Sequence, residues 1–213
     1  TAKKFNPRQL VVLGASTGGT EAIKKVLTQL PANLPGICIV QHIPPVFSKA
    51  FAERLNDCCE LEVREAAQGD EVKPGLVLIA PGDFHMAVEW TGGRYAVRLH
   101  QGPALHFTRP AVDVLFNSAA SCGGANVLGV ILTGMGSDGA QGMKKLKEAG
   151  ALTIAQNEKT CVVYGMPRAA AELGVVDQVL PLDAIPNAMV RTLETQAAGG
   201  TQRSIPGPKA LTA

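Results

Sequence analysis

The chain has 213 residues, 46% hydrophobic and 18% charged, enough to bury roughly 70% of the surface its unfolded form exposes without a disulfide scaffold or structural metal. Its net charge of +2, carried by scattered basic residues, and its six Phe, two Tyr and one Trp leave neither the footprint nor the stacking platform of a nucleic-acid binder. No apolar run is long enough to span a membrane, and the opening TAKKFNPRQL lacks the apolar stretch of a signal peptide.

Residues 1–8 read as a linker remnant. Short apolar runs then alternate with helical patterns. Strands are predicted at 10–13, 36–40, 75–80, 127–132 and 151–155, each nearly continuous in apolar character, as strands covered on both faces must be. Helices are predicted at 20–29, 47–55, 110–120, 140–149 and 167–173. In the first of these, Ala22, Ile23, Val26, Leu27 and Leu30 recur at helical spacing. A last helix starts at an Asp183 cap and runs to about residue 193. The alternation argues an α/β fold, a doubly wound, mostly parallel sheet with helices on both faces. One segment, about 84–99, departs from it: runs at 86–90 and 94–99 flank Thr91-Gly92-Gly93 and read as an antiparallel hairpin. The folded domain is placed at 9–195, and the Gly/Pro-rich residues 196–213 read as a flexible tail.

In open parallel sheets, sites form beyond the carboxyl ends of the strands. Three loops qualify: Gly14-Ala15-Ser16-Thr17-Gly18-Gly19, Gln41-His42-Ile43-Pro44-Pro45 and Thr133-Gly134-Met135-Gly136-Ser137-Asp138-Gly139. The first departs from a dinucleotide fingerprint at Ser16, and Gln41 and His42 stand where a ribose-binding acid belongs. It fits G-x-S-x-G, the turn that exposes a serine hydroxyl. Serine attacks at neutral pH only when a base takes its proton, and an imidazole held by a carboxylate is the usual base. Ser16, His42 and Asp138 supply those three groups. Each has a plain structural reading as a helix cap or buried polar residue. A phosphate- or nucleotide-binding module using the 14–19 loop and a non-catalytic docking domain stay open as alternatives. His85, near another strand end, is a further candidate to line the cleft, whereas His100 and His106 read as structural or rim residues. The five cysteines lack a C-x-x-C pair and read as free thiols of a reducing cytoplasm. No histidine pair has metal-ligand spacing, so neither metal nor organic cofactor is expected.

Together, the three loops resemble the catalytic domain of the CheB family, the chemotaxis receptor methylesterases. Arg109-Pro110-Ala111-Val112-Asp113-Val114-Leu115-Phe116 and Tyr164-Gly165-Met166-Pro167-Arg168 are similar too, so the resemblance covers roughly residues 8–193. It implies a cytoplasmic serine hydrolase that cleaves glutamate γ-methyl esters on the cytoplasmic helices of chemoreceptors, some members also deamidating receptor glutamines. Ser16 would be the nucleophile, His42 the base and Asp138 its orienting carboxylate. The Met135 amide, helped by Thr17, is the expected oxyanion donor, and Gly18, Gly19, Gly134 and Gly136 are expected to keep the cleft floor low. The family carries an N-terminal receiver domain. Its absence here, with a chain opening on Thr1, leads to the expectation of an isolated effector domain.

Overall fold

The computed structural model describes residues 5–199. Strands β1 (Leu10–Ala15), β2 (Ile37–Gln41), β3 (Glu62–Glu65), β5 (Leu76–Ile79), β8 (Val127–Ile131), β9 (Leu152–Gln156) and β10 (Gln178–Leu180) form one sheet in the order β10-β9-β8-β1-β2-β5-β3. Every neighbouring pair in it is parallel. Strands β4 (Glu71–Val72), β6 (His85–Thr91) and β7 (Arg94–His100) form a separate antiparallel sheet in the order β4-β7-β6.

The central strands bury both faces, which is why they read as unbroken apolar runs. Along β1, Val11, Leu13 and Ala15 point to one face. There they meet α1 (Gly19–Leu27), α2 (Pro45–Asn56) and α6 (Ile185–Gly199). Leu10 and Val12 point to the other face, with α3 (Val112–Gly123), α4 (Ala140–Glu148) and α5 (Met166–Glu172). The small sheet closes that second core through Met86, Val88, Tyr95 and Val97. The doubly wound arrangement expected from the alternation is therefore present. The expected hairpin is β6–β7, pairing His85 with His100 through to Thr91 with Arg94, and β4 adds a third strand.

Three strands escaped the sequence reading, β3, β4 and β10, for a shared reason. All lie at sheet edges and are short; Glu62-Val63-Arg64-Glu65 carries the charges that edges use against stray pairing. The expected boundaries also shift. Phe5 packs on the α1–α6 core, the Arg8 guanidinium sits 4.3 Å over the Trp90 ring, and the Tyr95 hydroxyl donates to the Arg8 carbonyl at 2.8 Å. Residues 5–8 thus belong to the folded body and are not linker. Helix α6 continues to Gly199, past the expected tail boundary; the remainder of that tail lies outside the described residues, as do residues 1–4.

Topology now positions the site. From β1 the chain winds outward through β2, then returns to the other side of β1 with β8. The crevice left at such a switch point lies beyond the carboxyl ends of β1 and β8, where the Ser16 and Asp138 loops emerge.

Candidate active site

Ser16 leaves β1 with its N–H donating to the Thr133 carbonyl at 3.0 Å. The tight approach of the two loops needs a glycine at 134, where a Cβ would meet Ser16 Cβ at 2.8 Å and Ser16 N at 3.0 Å. His42 leaves β2 with its N–H on the Ala15 carbonyl at 3.1 Å, which prolongs the β1–β2 ladder by one rung. Asp138 comes from the loop between β8 and α4. Ser16, Thr17, His42, Met135, Gly136 and Asp138 share one cleft of about 370 Å³, which His106, Phe107 and Thr108 also line.

His42 Nε2 lies 2.7 Å from Asp138 Oδ2. Asp138 is buried, and its Oδ2 also accepts the Val112 N–H at 2.8 Å while Oδ1 accepts the Asp113 N–H at 2.9 Å. Desolvation pushes this carboxyl up, but the hydrogen bond from His42 and the amides of Asp113 and Val112 outweigh it and hold it below the usual value of 3.8. An ionised carboxylate only accepts, so the proton between the two residues sits on Nε2. That tautomer leaves Nδ1 with the lone pair, and Nδ1 has no hydrogen-bond partner among the described residues. The group that can act as a base is therefore Nδ1, and its orientation is fixed from behind.

The carboxylate does a second job. Its two amide donors are the first N–H groups of α3, which have no partner inside the helix. Asp113, in the first turn of α3, returns the favour across the gap: its Oδ1 accepts the N–H of Gly139 at 3.1 Å and of Gly142 at 2.7 Å, at the start of α4. The two helices are cross-braced by one buried acid each.

A further clamp comes from Gln41, which is buried. Its Nε2 donates to the Ser16 carbonyl at 2.8 Å and to the His42 carbonyl at 3.1 Å, tying the serine loop to the histidine loop. From the sequence alone Gln41 stands out only as the wrong residue for a ribose site. The glycines of the 14–19 loop are likewise accounted for by protein contacts. A Cβ at Gly14 would meet Val112 Cγ2 at 2.7 Å, one at Gly18 the Val162 Cβ at 2.6 Å, and one at Gly19 the Ala15 Cβ at 2.7 Å. Close packing, not approach to a phosphate, explains them.

Some expected residues are placed elsewhere. His85 does not line the cleft. It is buried, with Nε2 donating to the Pro103 carbonyl at 2.9 Å and Nδ1 accepting the Ala111 N–H at 3.1 Å. Desolvation pushes its ring towards the neutral form, against the Pro103 hydrogen bond. Gly134 packs against Ser16, Gly18 against Val162 and Gly19 against Ala15, and none of the three is among the residues lining the cleft, whereas Gly136 does line it. No acceptor among the described residues takes the Thr17 or Met135 N–H, so both donors remain unused. Burial pushes the neighbouring Cys161 thiol up to about 11, which removes it as a rival nucleophile at neutral pH.

His106, Asp113 and Asp138 bring one nitrogen and two carboxylates within 4.8 Å of one another, a spacing that could hold a metal ion. All four carboxylate oxygens, however, already face an amide or imidazole N–H. A cation needs those lone pairs, so the donor set fits protons better than a metal.

Residues 11–189 match the family model for CheB methylesterase. The chain belongs to the CheB methylesterase family. It is 55% identical over 190 residues to a protein-glutamate methylesterase/protein-glutamine glutaminase of Bdellovibrio bacteriovorus, covering 89% of this chain and 54% of that protein. It is 50% identical over 198 residues to another so named from Pseudomonas aeruginosa, covering 93% of this chain and 57% of that one. The crystal structure of the Thermotoga maritima CheB methylesterase catalytic domain superposes with a TM-score of 0.84 at 43% identity, covering 88% of this chain and 98% of that one. The chain thus spans about half the length of the curated relatives it matches, and has the fold of a CheB catalytic domain. No helix among the described residues is long and apolar enough to cross a membrane.

Proposed function

We propose that this CheB-family chain hydrolyses glutamate γ-methyl esters on the cytoplasmic helices of chemoreceptors and deamidates receptor glutamines by the same route. The observation that carries the reading is the 2.7 Å contact of His42 Nε2 with Asp138 Oδ2 in a cleft shared with Ser16. His42 Nδ1 takes the proton of Ser16 Oγ as that oxygen attacks the ester carbonyl, and Asp138 stabilises the imidazolium that forms. The tetrahedral oxyanion is held by the amides of Met135 and Thr17. Collapse transfers the proton from Nδ1 to the leaving oxygen, releasing methanol and leaving an acyl-serine. Water, deprotonated by His42, then adds to the acyl carbon and frees glutamate and Ser16. With glutamine the leaving group is ammonia and the other steps are the same.

An N-terminal receiver domain preceding this segment, as expected from the resemblance, belongs to the same proposal, as does cytoplasmic action. The test is methanol release from methylated receptor membranes by the parent chain and by Ser16→Ala. Release by the parent alone supports the esterase and its nucleophile together. Equal release by both removes Ser16 from the nucleophile's place, and release by neither, with the fold intact, overturns the reading.

A further inference from the structure

We propose that His106 and Asp113 form a second imidazole–carboxylate pair beside His42 and Asp138, and that protonation of His106 suppresses hydrolysis. His106 is in this view a positioning residue, acting on His42 through the two carboxylates. The inference rests on the esterase reading of Ser16.

The geometry starts in the loop between β7 and α3. Leu105 and Thr108 pair backbone to backbone at 3.1 and 2.8 Å, so His106 and Phe107 form a two-residue turn with φ of 51° and 62°. Left-handed backbone at both positions is uncommon for non-glycine residues, and the turn it makes brings the side chains of His106 and Thr108 to the site while that of Phe107 is exposed. His106 Nε2 lies 2.8 Å from Asp113 Oδ2 and 3.8 Å from Asp138 Oδ1. Thr108 Oγ1 lies 3.4 Å from His42 Nε2.

The groups facing His106 are few. Asp113 comes from α3, Asp138 from the β8–α4 loop, and His42 stands behind Asp138 at the end of β2. Arg109, on the same loop, is turned away onto Asp83, with Nε 3.1 Å from Oδ1. Neutral His106 already donates Nε2–H to Asp113, so gaining a proton changes the ring's charge without requiring a new contact. That charge matters for one reason. The negative charge of Asp138 stabilises the imidazolium of His42 as Ser16 attacks. A second cation 3.8 Å from Asp138 Oδ1 competes for it and opposes a like charge on His42. His106 is exposed, so bulk protons reach it, and its imidazole can take up a proton and with it a positive charge.

The experiment is the pH dependence of kcat/KM for methanol release, in the parent chain and in His106→Gln. Glutamine keeps an N–H for Asp113 and cannot take the charge. The parent's acid limb is expected to fall more steeply than about tenfold per pH unit, because two protons inhibit, while the variant falls about tenfold per unit, the limit for one. Equal slopes overturn the proposal: a role in folding alone would lower the variant's curve and leave its steepness equal to the parent's. A second measurement needs no activity: the ring ¹⁵N signals of His42 are followed against pH in Ser16→Ala with and without His106→Gln. Two steps with His106 and one without support the coupling, and one step in both overturns it. If Ser16→Ala itself releases methanol, the esterase reading of Ser16 fails, and the nitrogen titration still decides the coupling.

Discussion

His42 and His85 both stand at strand ends, and the chain treats their rings in opposite ways. His42 has one nitrogen fixed by a buried carboxylate and the other without a partner among the described residues, facing a cleft that Ser16 shares. His85 has both nitrogens engaged, on the Pro103 carbonyl and the Ala111 amide, and its side chain is sealed in the core. A reactive imidazole needs an occupied side, to set its tautomer, and an idle side, to accept a proton. Full occupation makes the same ring a strut joining the start of β6 to the chain ahead of α3.

The sharpest way to break this contrast is to remove each ring in turn. His42→Gln is expected to lower kcat/KM for receptor methyl esters by about 10⁴-fold or more, as loss of a triad base does, with little change in Tm. His85 substitution should give the reverse pattern. Loss of activity without loss of stability at His85 would show that its two hydrogen bonds conceal a role in the reaction.

Asp138→Asn tests whether the occupied side of His42 does what is claimed. An amide in place of the carboxylate favours the wrong tautomer, and a rate loss of about 10⁴-fold is expected. The same change removes a pH effect on stability. Because the native carboxyl is held below 3.8, its contribution is fully present above the unfolded value. It is lost as pH falls through the lower native one. Urea midpoints taken from pH 5 to pH 2 should therefore fall more steeply in the parent than in the Asn variant.

Gln41→Glu carries the test to the clamp between the two loops. A carboxylate cannot donate, so the carbonyls of Ser16 and His42 would face negative oxygen where they now meet N–H. Misplacing reacting groups by about 1 Å costs on the order of 10²-fold in rate, and that is the expected drop in kcat. Stability should fall by about 1–3 kcal/mol for the buried polar groups left unpaired. Both are checked by steady-state kinetics alongside chemical denaturation.

These sites differ in how much of them can be read without a structure. Parallel strands covered on both faces must be apolar along their whole length, so β1, β2 and β8 are visible as runs, and the residues that end them can be named. Ser16, His42 and Asp138 are legible for that reason: the types are chemical and the positions are strand ends. Gln41 and Asp113 are not. An amide at the end of a strand and an acid in the first turn of a helix each have an ordinary local explanation, and the loops they tie down are reached at Ser16 and Gly139, 25 and 26 residues away in sequence. His106 reads as a structural or rim residue because nothing local marks the turn that directs it at Asp113. Phe5 and Arg8 looked like linker since Trp90 and Tyr95, the residues Arg8 packs against, belong to the second sheet.

The smallest expected effect returns to His85, where the claim is structural. His85→Leu fills the space but abandons the Ala111 N–H, which is buried, while the Pro103 carbonyl lies at an exposed residue and can turn to water. One orphaned buried donor costs about 1–3 kcal/mol, or roughly 2–4 °C of Tm for each kcal/mol in a domain of this size, with kcat unchanged. The pH dependence gives a further check. Desolvation lowers the native ring's affinity for a proton below that of an unfolded histidine at 6.5. The neutral ring's contribution is thus complete above 6.5 and lost as pH falls through the lower native value. The stability gap between the parent and His85→Leu should be widest at alkaline pH and narrow on acidification. A gap that widened on acidification would mean that the buried ring carries a charge, and the assignment of Nδ1 as an acceptor from Ala111 would have to be abandoned.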